Sequence, residues 1–403
     1  MNIKQKIKSV ILSSLVYPET RTVGMEEEII IITKEGKRLP VNKGSSFSGY
    51  DLIQILNKKG NNGSYSLEPG GQVEWSSFPY KSLIDLGKAQ KEHKEALDKV
   101  ISQNNLKVIS YGVEPFFLAE EVDIINDLKY ELMNKSMEKN GSMGKWMMRN
   151  TASVQINIDF VNEKELEEIV YVADCVNPIS AYLFSNSPLI NGEKVKNKNI
   201  RNIIWENTDN VRCRNLIDHG IIEPKNLINR YIDYLGVVPG IFQIDKDGKV
   251  ESTNGTLLDR LENLNKFDRL KDEDIKCALH QIFTNVRLKN LIEIRGADRP
   301  PIGYEMAPVS FWTGILTVES VRSEIFKEVI SWSYEDRIKF NNASLSLDDS
   351  AITVKNRKYS YWNNWLGELA IIGLKERGME EEILFEHFFD NVKSKGPFSL
   401  QLQ

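Results

Sequence analysis

Four short segments, far apart in the chain, set acidic or amide side chains two residues apart. They are GMEEEIIII from Gly24, SLEPGGQVEWS from Ser66, TASVQINIDF from Thr151 and LIEIRGAD from Leu291. Two residues is the side-chain period of a β-strand. Glu26 and Glu28 therefore share a face, as do Thr151, Ser153, Gln155, Asn157 and Asp159, and as do Glu293 and Arg295. The opposite faces carry Ile29 and Ile31, then Val154, Ile156, Ile158 and Phe160, then Ile292 and Ile294. An apolar back and a charged front, repeated this often, describe a sheet whose front lines a charged cavity. Carboxylates crowded at low dielectric repel strongly. Hard cations relieve that repulsion, and Mg²⁺ held together with a nucleotide is the filling these residue types favour.

The elements that must carry these residues can be read coarsely. A first amphipathic helix, with Ile3, Ile7, Val10, Ile11 and Leu15 at helical spacing, ends before Pro18. It reads as a helix and not a signal peptide, because no small-residue cleavage site follows. A strand spans Thr22 to Thr33, a turn Lys34 to Lys37, a helix Ser48 to Lys58, and a loop the sequence KKGNNG. Pro69-Gly70-Gly71 breaks Ser64 to Ser76 into two strands and turns Glu68 and Glu74 towards one cavity. Further helices are expected at Tyr80–Asn104, Asp123–Lys139, Glu163–Phe184 (kinked or split at Pro178) and Ile275–Asn285. A strand is expected at Leu106–Gly112. Beyond Trp312 the chain reads as mainly helical, with GELAIIGLKERG capped by Gly378. The polar stretch Glu335–Lys358 reads as a lid or a surface loop. With no repeat and no low-complexity linker, residues 1–403 read as a single catalytic unit whose helical C-terminal part covers about 313–403.

Composition narrows the partners. A net charge of −5 argues against nucleic acid, which needs clustered Lys and Arg. No apolar run reaches membrane-spanning length. Cys175, Cys213 and Cys277 are too scattered for a disulfide framework or zinc site, which fits a reducing cytoplasm. His93, His219, His280 and His387 show no ligand spacing and read as structural or surface residues.

Taken in order, GMEEE, SLEPGGQVEWS, MMRNTASVQINIDF, NPISAYLFSNSPLINGE, RNIIWENTDNVRCR, LIEIRGAD and SFWTGIL resemble the glutamate–cysteine ligases, above all their plant and proteobacterial branch. The likeness covers most of Gly24 to about Leu316. It implies an α+β fold, a curved and mostly antiparallel sheet forming a funnel with helices outside, related to the glutamine synthetase catalytic domain. It implies an ATP- and Mg²⁺-dependent carboxylate–amine ligase with two or more ions: the γ-carboxylate of glutamate is phosphorylated, and the amine of cysteine attacks the acyl phosphate. Carried over by motif, Glu26, Glu28, Glu68, Glu74 and Glu293 are metal ligands, and Gln155 is a metal or phosphate contact. Glu74 and Arg295 are the catalytic pair. Arg295 is also the fork for the γ-phosphate, and Asn157 a nucleotide or metal contact. Arg201, Trp205 and Arg212, with Asp209, fall in the amino-acid-binding segment.

The sequence departs from the pattern where EEE stands for the plant EHE and TASVQ for the usual TCTVQ. The acceptor amine is marked by no motif, so a ligase using a different amino acid, amine or carrier-bound acyl group, with a carrier protein as partner, is the alternative. A nucleotide-binding homologue without turnover is the other. Plainer readings also stand beside the site: Glu293 and Arg295 as a buried ion pair, Gln155 and Asn157 as satisfied interior amides, and the Arg201–Arg212 segment as an ordinary polar helix or loop.

Overall fold

The computed structural model describes residues 2–402 except 45, 59, 61, 197 and 246. Its strands are β1 (Val23–Thr33), β2 (Gly63–Leu67), β3 (Val73–Ser77), β4 (Leu106–Ile109), β5 (Ser153–Ile158), β6 (Leu189–Ile190), β7 (Glu193–Lys194), β8 (Phe242–Ile244), β9 (Val250–Ser252), β10 (Val286–Leu288) and β11 (Ile292–Asp298). The main sheet runs β10-β11-β5-β1-β3-β2, with β4 on the far half of β1. Each pairing in it is antiparallel. β6–β7 and β8–β9 are separate hairpins. This is the α+β architecture with an antiparallel sheet that the sequence implied. A register shift between Ile294 and Ala297 puts a bulge in β11, where a strand bends and twists more strongly.

β1 is central because its β-branched run suits a doubly covered strand. Its back face buries Met25, Ile29 and Ile31. Glu27 also points there, as its parity requires, and pairs with Arg299 at 3.0 Å while accepting from Gln90 at 3.2 Å. The β2–β3 turn depends on two glycines. Gly71 has φ +82°, and a Cβ on Gly70 would stand 2.4 Å from the Arg149 Cα.

The helices Glu163–Leu183 and Ala307–Leu316 pack against β11 and β5, and Leu83–Gln103 lies behind β3. One apolar core reaches from Ile3 to Val392. A smaller cluster centres on Met137, Met148 and Ile204.

Several elements differ from expectation. Leu15 lies beyond the first helix, Ile3–Ile11, and is exposed. Positions 59 and 61 of the expected KKGNNG loop lie outside the described residues. The helix Glu163–Leu183 runs through Pro178 without a split; that stretch is buried on all sides, and packing outweighs the lost hydrogen bond. The helix expected from Asp123 starts at Leu128, where the Asp127 side chain accepts from the Lys129 amide. The helix expected at Ile275–Asn285 is instead Asp272–Leu279, and β10 follows. Glu335–Lys358 is not loop throughout, because its first eleven residues are helical. Tyr334–Leu345 is a helix whose Arg337 pairs with Asp174 and whose Phe340 is buried against Trp332 and Trp362.

Candidate active site

The register of the sheet lays the front-face side chains in rows. Glu28 on β1 faces Glu74 on β3, and Ser66 on β2 lies beyond Glu74. Glu26 is flanked by Gln155 and Ser76. Asn157 on β5 faces Glu293 on β11, which faces Arg287 on β10.

Hydrogen bonds tie these rows together. Gln155 donates from Nε2 to Glu28 Oε1 at 2.7 Å and accepts from Arg295 Nη1 at 2.6 Å. Asn157 Nδ2 donates to Glu26 Oε1 at 2.8 Å. The Ser66 and Ser76 hydroxyls both donate to Glu74 Oε1, at 3.0 and 3.3 Å.

A cavity of about 360 Å³ opens on this face, within the range of small-molecule sites. Glu26, Glu28, Glu68 and Glu74 give it an anionic side. Lys129, Arg287, Lys289 and Arg295 give it cations. Met133, Phe242, Ile244 and Phe283 make an apolar flank. Carboxylates from two strands and a turn thus reach one space, together with Gln155 and Glu293.

The electrostatics divide the acids into two kinds. Burial, then the nearby charges of Glu293 and Glu74, pushes Glu26 up to about 7. Burial and the charges of Glu74 and Glu28 hold Glu68 well above the usual carboxylate range. Glu74 is raised by burial and by Glu28. Glu28 is raised by burial although Arg201 and Arg295 pull it down. Glu293 behaves oppositely. Burial works against its charge, but Arg287, Lys289 and Arg295 outweigh that and hold it well below the ordinary value. Arg287 forks onto it, with Nη2 at 2.8 Å from Oε1, and Lys289 Nζ stands 3.0 Å from the same oxygen.

Four carboxyl groups that resist ionising together need positive charge beside them. Among the described residues no three His, Cys, Asp or Glu side chains gather tightly enough to cage an ion alone. The donor set suits Mg²⁺ taken with phosphate, since that ion keeps water and combines one or two carboxylates with substrate oxygens. The anionic side and the cations beside it offer places for both ion and phosphate.

The segment around Arg201 lies outside this cavity. Arg201 is buried on the helix Ile200–Glu206 and donates from Nη2 to the Arg295 main-chain carbonyl at 3.2 Å. The Trp205 ring lies 5.8 Å from the Arg201 guanidinium and 5.4 Å from that of Arg295. Neither residue lines the cavity. Arg212 is further removed from the expected role. Its guanidinium is fully buried and donates to Asp209 Oδ2 at 2.7 Å, to the Gln281 carbonyl at 3.1 Å and to the Pro239 carbonyl at 2.7 Å. All three of its nitrogens are thus engaged inside the protein, and none lines the cavity.

Sequence reasoning missed Lys129, Tyr130, Arg287 and Lys289. The last two belong to the hairpin β10–β11, which the run VRLKNLIEIRG signals only through two short apolar stretches about a Lys-Asn turn. His280, read as structural or surface, stands exposed at the cavity.

Comparison with known proteins adds the lineage. A model of glutamate-cysteine ligase family 2 matches residues 22–344. The chloroplastic glutamate–cysteine ligase of Medicago truncatula is 30% identical over 339 residues, covering 81% of this chain and 64% of that protein. Glutamate–cysteine ligase A of Oryza sativa subsp. indica is 28% identical over 353 residues, covering 85% and 69%. The chain thus spans 64% of the length of the first of these relatives. Among solved structures, the glutamate–cysteine ligase of Francisella tularensis, in complex with AMP, aligns over 94% of this chain and 83% of its own. The TM-score is 0.60 at 12% identity, which shows a shared fold.

Proposed function

The chain belongs to glutamate-cysteine ligase family 2, and from that we propose that it is an ATP- and Mg²⁺-dependent ligase joining the γ-carboxylate of glutamate to the amine of cysteine. One observation carries the reading: Glu26, Glu28, Glu68 and Glu74 share a cavity with Lys129, Arg287, Lys289 and Arg295. Such a pairing of charges is what a metal-bound triphosphate requires. ATP supplies the phosphoryl group that activates the acid as an acyl phosphate, and Mg²⁺ offsets the charge on its oxygens.

The chain's own residues do the positioning. We assign the metal contacts to Glu26, Glu28, Glu68 and Glu74. Gln155 fixes the Arg295 fork against the carboxylates through its two hydrogen bonds. Arg295 steadies charge on the transferring phosphoryl. Glu293, already neutralised by Arg287 and Lys289, holds those cations at the cavity and is a weaker ligand than the other acids. Asn157 orients Glu26. Arg201 and Trp205 act behind Arg295 as positioning residues. The apolar flank at Phe242, Ile244 and Phe283 is suited to a purine ring. The AMP bound by the Francisella protein supports an adenine nucleotide here.

We further propose that the chain acts as one catalytic unit, because a single apolar core joins its first and last helices. The three thiols are free, which supports a reducing compartment, the cytoplasm in our reading. Among the described residues no helix is long and apolar enough to cross a membrane.

Purified protein with ATP and Mg²⁺ should release ADP only when glutamate and cysteine are both present, with a product of γ-glutamylcysteine mass. ADP release that ignores cysteine but follows another amine would replace the acceptor assignment. ATP binding with no ADP under any amine would end the catalytic one.

A further inference from the structure

Asn363 sits on the helix Tyr359–Glu376, 4% exposed, and among the described residues neither its Nδ2 nor its Oδ1 has a hydrogen-bond partner. Buried amides are seldom left so, because they have given up water on both sides. Asn363 faces a cavity of about 320 Å³ between that helix, Glu163–Leu183 and Ile383–Lys395. Leu347, Phe389 and Leu400 form apolar parts of the wall. Asp349 and Lys395, both exposed and of opposite charge, stand among the lining residues. Among the described residues neither is held in an ion pair. Apart from Tyr182 and Leu183, the lining lies beyond residue 344, where the family match stops.

We propose that this second cavity binds a free α-amino acid. Its ammonium group meets Asp349 and its carboxylate meets Lys395, charge-assisted contacts that are stronger than neutral ones. Its aliphatic stem packs on Phe389 and Leu400. A side-chain carboxamide or carboxyl group satisfies the Asn363 amide, which offers a donor and an acceptor side by side. A simple cation or anion would use only one of the two charges, and a purely apolar ligand would leave Asn363 unpaired. The volume falls within the range of small-molecule sites.

The test uses the full chain without ATP. Calorimetric titration with the common amino acids, one at a time, should find at least one bearing a side-chain amide or carboxyl that binds with a Kd below about 1 mM. Asp349→Lys and Lys395→Gln change exposed side chains and keep the fold, and each should weaken that binding about tenfold or more. Arg295→Ala should leave it unchanged, which separates this site from the catalytic cavity. Asn363→Leu should remove it. The proposal is overturned if no amino acid binds, as when water alone fills the cavity, or if binding is kept in Asp349→Lys and Lys395→Gln, whatever Arg295→Ala does.

Discussion

Glu28 on β1 and Glu74 on β3 are direct cross-strand neighbours. Like charges in that relation destabilise a sheet, and these two sit on its cavity face with Glu26 and Glu68 close by. Such an arrangement costs stability, as functional sites commonly do, and in the function we propose cations relieve it. Replacing Glu74 by Gln should therefore act in two directions. Turnover should fall by about 10²–10³-fold, the effect of losing one electrostatic contact to a transition state. The ligand-free melting temperature should rise. Steady-state ADP release and differential scanning calorimetry measure the two, and a variant with near-normal turnover would remove Glu74 from the site.

The raised carboxyl groups set a pH dependence. Glu26 titrates at about 7 in the folded chain against an ordinary value of 4.5. The folded state thus binds this proton more tightly than the unfolded state. The corresponding stability is present below about pH 4.5 and is lost as pH rises through about 7. Glu28, Glu68 and Glu74 shift the same way. Ligand-free wild type should lose stability relative to Glu26→Gln across that window, and Mg²⁺ with a non-hydrolysable ATP analogue should stabilise wild type more above pH 7 than below pH 5. Melting curves across the range decide it, and a metal-nucleotide effect independent of pH would count against carboxylate ligation.

Gln155 links the anionic and cationic halves of the cavity, giving one hydrogen bond to Glu28 and taking one from Arg295. Gln155→Leu should lower kcat by about tenfold or more through misplacement of the Arg295 fork, with a smaller change in the KM for glutamate. Arg295→Lys should not restore the lost rate of Arg295→Ala, because an ammonium group cannot present two parallel donors. If Gln155→Leu changes KM alone, the amide touches substrate and does not position the arginine.

How much of this could be read from the chain depends on how local each signal is. The alternation in GMEEEIIII and TASVQINIDF is long enough to show the face of every residue, and the structure places Glu26, Glu28, Gln155 and Asn157 on the front of the sheet accordingly. Arg287 escaped because β10 is only three residues long, too short to show a period. Lys129 and Tyr130 escaped because their helix has only two buried positions, Met133 and Met137, and so presents little stripe. Arg212 reads in the structure as a scaffold residue, and the sequence could not signal this because a buried arginine and a substrate-binding one look alike. The carbonyls that engage it, on Pro239 and Gln281, come from distant positions.

That reassignment is itself testable. Arg212 carries three hydrogen bonds inside the protein and none towards the cavity. Arg212→Lys should lower stability by about 2 kcal/mol or more by orphaning buried carbonyls and weakening the Asp209 pair. The KM for glutamate in the folded fraction should stay within about twofold, far short of the tenfold that loss of a 1.4 kcal/mol contact would bring. Denaturant midpoints and KM values measured together separate the roles, and a large KM rise at unchanged stability would return Arg212 to the substrate.

The helix Tyr334–Leu345 provides the last test, because its attachment distinguishes a scaffold from a lid. Arg337 pairs with Asp174, whose Oδ1 also accepts from the Leu216 amide at 2.7 Å and whose Oδ2 accepts from the Ile217 amide at 3.3 Å. Burial raises the Asp174 carboxyl even with Arg337 beside it, so the acid depends on that arginine to stay charged. Arg337→Met strands the carboxylate and should cost about 3–5 kcal/mol. Asp174→Asn in the same chain keeps an acceptor for the two amides, removes the unpaired charge and should recover part of the loss. Activity per folded molecule should be unchanged, since neither residue lines the cavity. A hinged lid would give the opposite pattern, with stability untouched by Arg337→Met and turnover altered.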